Sequence, residues 1–117
     1  MMHAVGELEY PERDEIELVE VLAALGDPVR IQIVRILDQA NGGIACNEMG
    51  LRVAKSTGSH HLRVLREAGV VRAQVEGTRR YYTLRHDDLE ARFPGLLESV
   101  LTADGWEGHG PVLTFPS

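Results

Sequence analysis

The sequence runs to 117 residues, 44% hydrophobic and 26% charged, enough for one packed domain and too little for a second core or a large multi-site enzyme. Two Phe, three Tyr and one Trp leave that core to Leu, Val, Ile and Ala, and the spread of apolar and charged positions excludes collagen-like and wholly disordered chains. The net charge of −6 conceals a division: residues 1–51 carry ten acids and three bases, residues 52–85 eight bases and two acids, and residues 86–117 six acids and one base.

Eight of the twelve Lys and Arg thus fall in one 34-residue stretch, a charge suited to a polyanion partner; a basic face solvated by water alone is the ordinary alternative. No apolar stretch approaches the roughly 20 residues of a membrane span, so no membrane partner is expected. Residues 1–10 hold Glu7 and Glu9 and lack a basic region followed by an apolar one, so no secretory signal is expected and a cytoplasmic location is. A single cysteine, Cys46, forms no internal disulfide and agrees with a reducing compartment.

Residues 1–13, with Gly6 and Pro11, read as a loosely ordered tail before a domain spanning 14–103. Leu18, Leu22 and Leu25 at four- and seven-residue spacing, beside Val19, predict a first helix over about 14–25, ended by Gly26. Asp27 then Pro28 is a helix start, an Asx cap followed by a residue whose missing N–H costs nothing at the first helical position. The second helix runs to about 40 on an apolar stripe of Val29, Ile33, Ile36, Leu37 and Ala40, with Arg30 and Arg35 on the solvent side, and ends at Asn41-Gly42-Gly43. Residues 46–52 suggest a short third helix, against the propensity of Gly50.

Ser56 is the expected cap of the next helix, which places Gly58, His61, Leu62 and Leu65 on its inner side and Gly69 at its end. Its other face, Thr57, Ser59, His60, Arg63 and Arg66, consists of donors, acceptors and cations suited to phosphates and base edges. Alternating Val71, Ala73 and Val75, the turn residues Glu76-Gly77-Thr78, and alternating Tyr82 and Leu84 predict a β-hairpin. Arg79 and Arg80 follow its tip, within reach of a minor groove or its phosphates, or placed there only to keep an edge strand soluble. A last helical stretch opens at Asp87-Asp88, breaks at Pro94-Gly95 and resumes with Leu96, Leu97, Val100 and Leu101 on one face. Residues 104–117, with three glycines and two prolines, read as an irregular tail whose deletion should leave DNA binding intact.

The fold class is therefore mainly α with a small β-hairpin. This order of elements, with the run Ser59-His60-His61-Leu62-Arg63-Val64-Leu65-Arg66-Glu67-Ala68-Gly69-Val70-Val71 and the hairpin Gly77-Thr78-Arg79-Arg80-Tyr81-Tyr82, resembles the ArsR/SmtB family of winged helix-turn-helix transcription regulators over about residues 15–103. The resemblance implies a homodimer that binds a palindromic double-stranded DNA operator and usually represses a neighbouring gene. Lys55, Ser56, Thr57, Ser59, His60 and Arg63 would then meet the major groove, with Arg79 and Arg80 on the wing. The first and last helices would form the two-fold interface through Leu18, Leu22, Leu96, Leu97, Val100 and Leu101.

The chain departs from the metal-sensing members, which resemble one another in a Cys-x-Cys pair at the third helix or a His and carboxylate cluster on the last. Cys46 has Ala45 and Asn47 beside it, and the last helix offers Asp87, Asp88, Glu90 and Glu98 with only His86. His60 and His61, adjacent on a helix, point about 100° apart and do not chelate one ion readily; His60 is expected toward DNA and His61 half-buried. No metal or cofactor is expected, and no effector is named by the residues. Phosphate-loop, dinucleotide-loop and His-Glu-x-x-His patterns are missing, so enzyme activity is not expected either. Two other readings stand beside the regulator: a winged helix used only for protein contact, and a redox-responsive regulator acting through Cys46. A polar rather than aromatic face on the fourth helix weighs against the first, and the usual burial of free cysteine against the second.

Overall fold

The computed structural model of the chain describes residues 9–40 and 42–103; the earlier part of the N-terminal tail and the tail over 104–117 lie outside these residues. A 3-10 turn at Arg13–Glu15 leads into α1 (Leu18–Leu25) and α2 (Pro28–Gln39). A two-residue strand, β1 (Ile44–Ala45), and a second 3-10 turn at Cys46–Glu48 precede α3 (Lys55–Ala68), which is followed by β2 (Val71–Glu76), β3 (Arg79–Leu84), α4 (His86–Arg92) and α5 (Leu96–Thr102). The strands form an antiparallel sheet in the order β1-β3-β2, with Arg72 opposite Thr83, Glu76 opposite Arg79 and Ile44 opposite Tyr82. Helices, helix-turn-helix segment and hairpin wing thus come in the expected order.

Local chemistry accounts for most of the boundaries. Asp27 Oδ1 accepts from the N–H groups of Val29 (2.8 Å) and Arg30 (3.2 Å) at the start of α2, a cap worth about 1 kcal/mol. Gly69, at φ +93°, closes α3 in the left-handed region that a side chain disfavours. Pro94 and Gly95, the latter at φ +86°, separate α4 from α5.

Several expectations about local structure are corrected. The first helix is split, because Ile16 adopts an extended backbone and sinks into the core, 1% exposed, between the 3-10 turn and α1. The third helix is only the 3-10 turn Cys46–Glu48, with a strand before it, and Gly50 at φ +71° prevents its continuation. Ser56 does not cap α3: Ala54 is the N-cap residue, its carbonyl accepts from Gly58 N–H at 2.9 Å, and Ser56 lies exposed in the first turn. Arg30 and Arg35 are half-buried, not solvent-side. Arg30 donates to the Ala24 carbonyl and lies 3.0 Å from His61 Nδ1, while Arg35 donates to the carbonyls of Val100 and Ala103 at the end of α5; long stems pack while their guanidiniums satisfy helix-end carbonyls.

The core gathers Val21, Ala24 and Leu25 of α1, Ile33, Val34 and Leu37 of α2, and Leu62, Leu65 and Ala68 of α3 against Val71, Ala73 and Tyr82 of the sheet and Leu89 of α4. Leu97 belongs to it too, 1% exposed, so its side chain is spent inside the protomer and leaves the set expected at an interface between copies. Residues 9–13, expected to be loosely ordered, are instead strapped down by arginines. Arg66 holds the Glu9 carbonyl at 2.6 Å, Arg85 that of Pro11 at 2.7 Å, and Arg13 pairs with Asp88 at 2.7 Å. Tyr10 is buried beneath the guanidiniums of Arg72 and Arg85.

Candidate nucleic-acid interface

The outer face of α3 is polar because its inner positions are apolar or small. Gly58, His61, Leu62, Leu65 and Ala68 are buried, and the residues between them face water. Lys55, Ser56, Thr57, Ser59, His60 and Arg63 are all exposed, as are Arg79 and Arg80 on β3. Ser56, Ser59, His60 and Arg63 line, with Arg66, Arg80 and Tyr82, a concavity of about 320 Å³ between α3 and the β2–β3 hairpin. Helix and strand therefore present hydroxyls, an imidazole and guanidiniums to one hollow, the combination that reads phosphates and base edges.

The other expected residues are placed differently. Lys55 and Thr57 are exposed outside that hollow, at the first turn of α3. Arg79 reaches back to the 3-10 turn, 3.4 Å from Asn47 Oδ1 and 3.3 Å from Glu48 Oε2, with its guanidinium 5.5 Å from the Tyr81 ring. Within the hollow Arg63 Nη2 lies 3.4 Å from His60 Nδ1. Alternation marks Tyr82 only as an apolar strand position; its place beside Arg80 on β3 is what brings it to the hollow, and alternation alone does not reveal that.

His61 turns inward as expected. Burial lowers its pKa, a pull that Asp27 opposes and that the charges of Arg30 and His60 reinforce. Cys46 is half-buried against Gly58, where a Cβ would stand 3.4 Å from its sulfur. Burial pushes the Cys46 thiol up, against a smaller downward pull from Lys55, the reverse of what a reactive thiolate needs. Among the described residues no group of three His, Cys, Asp or Glu side chains is arranged to hold a metal ion, and no helix is long and apolar enough to cross a membrane. On α1, Leu18, Val19 and Leu22 stand 43%, 76% and 48% exposed, while Leu96, Val100 and Leu101 of α5 are half-buried.

A family model described as a helix-turn-helix domain matches residues 25–74, from the end of α1 through β2. The chain is 32% identical over 83 residues to an uncharacterised HTH-type transcriptional regulator of Bacillus subtilis, YceK, covering 69% of this chain and 83% of that one. It is 32% identical over 85 residues to a biofilm growth-associated repressor of Agrobacterium fabrum, covering 71% and 73% of the two chains. Against a homologue of the cadmium resistance transcriptional regulatory protein CadC from Staphylococcus aureus it is 29% identical over 73 residues, 62% of this chain and 60% of that one. With the helical order, the three-stranded wing and the polar recognition face already described, these likenesses make the chain a member of the ArsR-type winged helix-turn-helix transcriptional regulators, DNA-binding proteins.

Proposed function

We propose that the protein is a homodimeric repressor that reads a palindromic operator with α3 in the major groove and the β2–β3 wing alongside. The observation that carries this reading is the hollow between α3 and β3, where Ser56, Ser59, His60 and Arg63 meet Arg80. Lys55 and Thr57 extend the contact at the N-terminal turn of α3, and Arg79, opposite Glu76 beside the hairpin tip, extends it along the wing. Two copies supply two half-sites and cover the parts of Leu18, Val19 and Leu22 of α1 that stand exposed, each contributing about 1–2 kcal/mol for the surface still to be buried. Leu96, Val100 and Leu101 of α5 join that interface. Repression is supported by the name of the Agrobacterium relative, and such a protein works in the cytoplasm beside the chromosome. The raised Cys46 thiol favours neither a soft-metal clamp nor a redox switch.

A salt series of anisotropy titrations tests the proposal, with the full-length protein against the promoter of its own gene and against random duplex. Promoter-selective binding that weakens steeply with salt is expected, with a slope of about −0.9 per phosphate neutralised. Binding to neither DNA at low salt would overturn it and leave the wing and α3 as a protein-contact surface.

A further inference from the structure

The opposite face of the wing carries a second hollow, of about 330 Å³, between the base of the hairpin, the N-terminal strap and the start of α4. Cross-strand partners share a face of a sheet and neighbours along a strand alternate. Arg72 and its partner Thr83 therefore lie on the face away from Arg80 and Tyr82, and so away from the DNA-side hollow.

The hollow is rich in guanidinium. Arg13 and Arg85 share one carboxylate, with Asp88 Oδ1 2.7 Å from Arg13 Nε and Asp88 Oδ2 2.9 Å from Arg85 Nε. Arg85 is occupied further by the Pro11 carbonyl. Arg72 has no such neutralisation: among the described residues its guanidinium lies 5.1 Å from the Tyr10 ring, and its Nε is buried with no hydrogen-bond partner. Buried donors are ordinarily satisfied, so the Arg72 guanidinium stands under-satisfied at the wall of the hollow. The Asp87 side chain at the rim is 98% exposed, its Oδ1 3.9 Å from His86 Nδ1, where water screens it. His86 stands at the same rim.

We propose that this hollow binds a small free oxyanion, a carboxylate or a phosphate, on the guanidinium of Arg72, with Arg13 and His86 at its mouth. The planar fork of arginine matches two oxygens of such a group, and the volume lies at the small end of ligand sites. The ligand joins β2 to the start of α4, two elements that the DNA-side face does not use together.

The test uses the full-length protein with inorganic phosphate and with succinate, each titrated by calorimetry against sodium chloride of equal ionic strength. Saturable binding of at least one of the two is expected, and whichever binds more tightly names the class. Arg72→Gln should weaken it at least tenfold, with Arg72→Lys in between. Thr83→Glu, which sets a carboxylate opposite Arg72, should abolish it while leaving Arg72 in place; far-UV circular dichroism checks that each variant is folded. Heats indistinguishable from chloride, or wild-type affinity in both Arg72→Gln and Thr83→Glu, would overturn the proposal. A non-operator duplex that displaces phosphate competitively would overturn it too, by assigning the hollow to the DNA backbone.

Discussion

Gly69 joins the recognition helix to the wing, and replacing it by alanine tests how the two are seated. Its φ of +93° lies where a side chain is strained, which costs about 1–2 kcal/mol. A Cβ there would stand 2.7 Å from Ile16 Cγ1, 3.1 Å from its Cδ1 and 3.2 Å from its Cγ2. Ile16 is 1% exposed and has nowhere to retreat, so the overpacking adds about 1–3 kcal/mol. Gly69→Ala should therefore cost about 3 kcal/mol in urea unfolding at fixed protein concentration. Gly95→Ala is the control, because Gly95 shares the positive φ, +86°, but has nothing within 4 Å of its Cβ position; it should cost only the backbone term, about 1 kcal/mol. In the Gly69→Ala background Ile16→Ala should cost about 1–2 kcal/mol less than in the wild type. Equal costs for the two glycine variants, or strict additivity with Ile16→Ala, would refute the steric account of how the N-terminal strap meets the recognition helix.

Burial holds the pKa of His61 below its ordinary value. The unfolded chain therefore takes up a proton first as pH falls, and stability should drop once pH passes below about 6.5; urea unfolding at pH 7.5 and 5.5 should show the loss in the wild type and a flatter response in His61→Gln. Asp88 does not confuse that comparison. Burial raises its pKa, but hydrogen bonds from Arg13 and Arg85 outweigh this and hold it low, so its contribution is present above about pH 4 and lost only in more acidic solution. Leu97→Ala should cost about 2–5 kcal/mol by cavity formation. Leu22→Glu should leave the circular dichroism unchanged and yield a monomer by sedimentation; a surviving dimer would remove α1 from the interface.

Much of the fold was legible because its punctuation is local. Asp27-Pro28, Gly69 and Pro94-Gly95 each fix a boundary through chemistry confined to a few residues, and the period-2 run from Val71 to Leu84 announces the hairpin. The inner face of α3 was legible for the same reason, since Gly58, His61, Leu62 and Leu65 keep helical spacing. The third helix and the Ser56 cap failed on local geometry, the left-handed backbone at Gly50 and the N-cap position of Ala54, whereas other expectations failed on distant partners. Ile16 leaves the first helix and packs against Gly69, far along the chain, where no Cβ stands in its way. Ile44–Ala45 becomes a strand only because β3 offers an edge. Leu97 keeps the same spacing as Leu96 and Val100, yet the core takes it completely, and periodicity does not say whether an apolar face meets its own chain or another copy. The polar outer face of α3 was readable from helical spacing, whereas the convergence of Arg80 and Tyr82 on the hollow beside it required the sheet register.

The same long-range contacts divide the basic segment, and the division bounds how salt acts on DNA binding. Of its eight cations, Arg66 and Arg85 hold carbonyls of the strap, Arg85 also pairs with Asp88, Arg79 pairs with Glu48, and Arg72 faces the far side of the wing. Arg52, Lys55, Arg63 and Arg80 are left exposed, with Lys55, Arg63 and Arg80 on the recognition helix and wing. A cation already committed to a carboxylate or a carbonyl replaces few counterions on DNA, so each protomer offers about four phosphate contacts and a dimer about eight. The slope of log affinity against log salt concentration should then not be steeper than about −7, and Arg63→Ala and Arg80→Ala should each make it shallower by about one contact per protomer. A steeper wild-type slope would mean that Arg66 or Arg79 abandons its protein partner for phosphate on binding. Charge-neutral replacement of Glu48, which frees Arg79, would in that case leave the slope unchanged, whereas an Arg79 that stays paired in the complex would be released by it and steepen the slope.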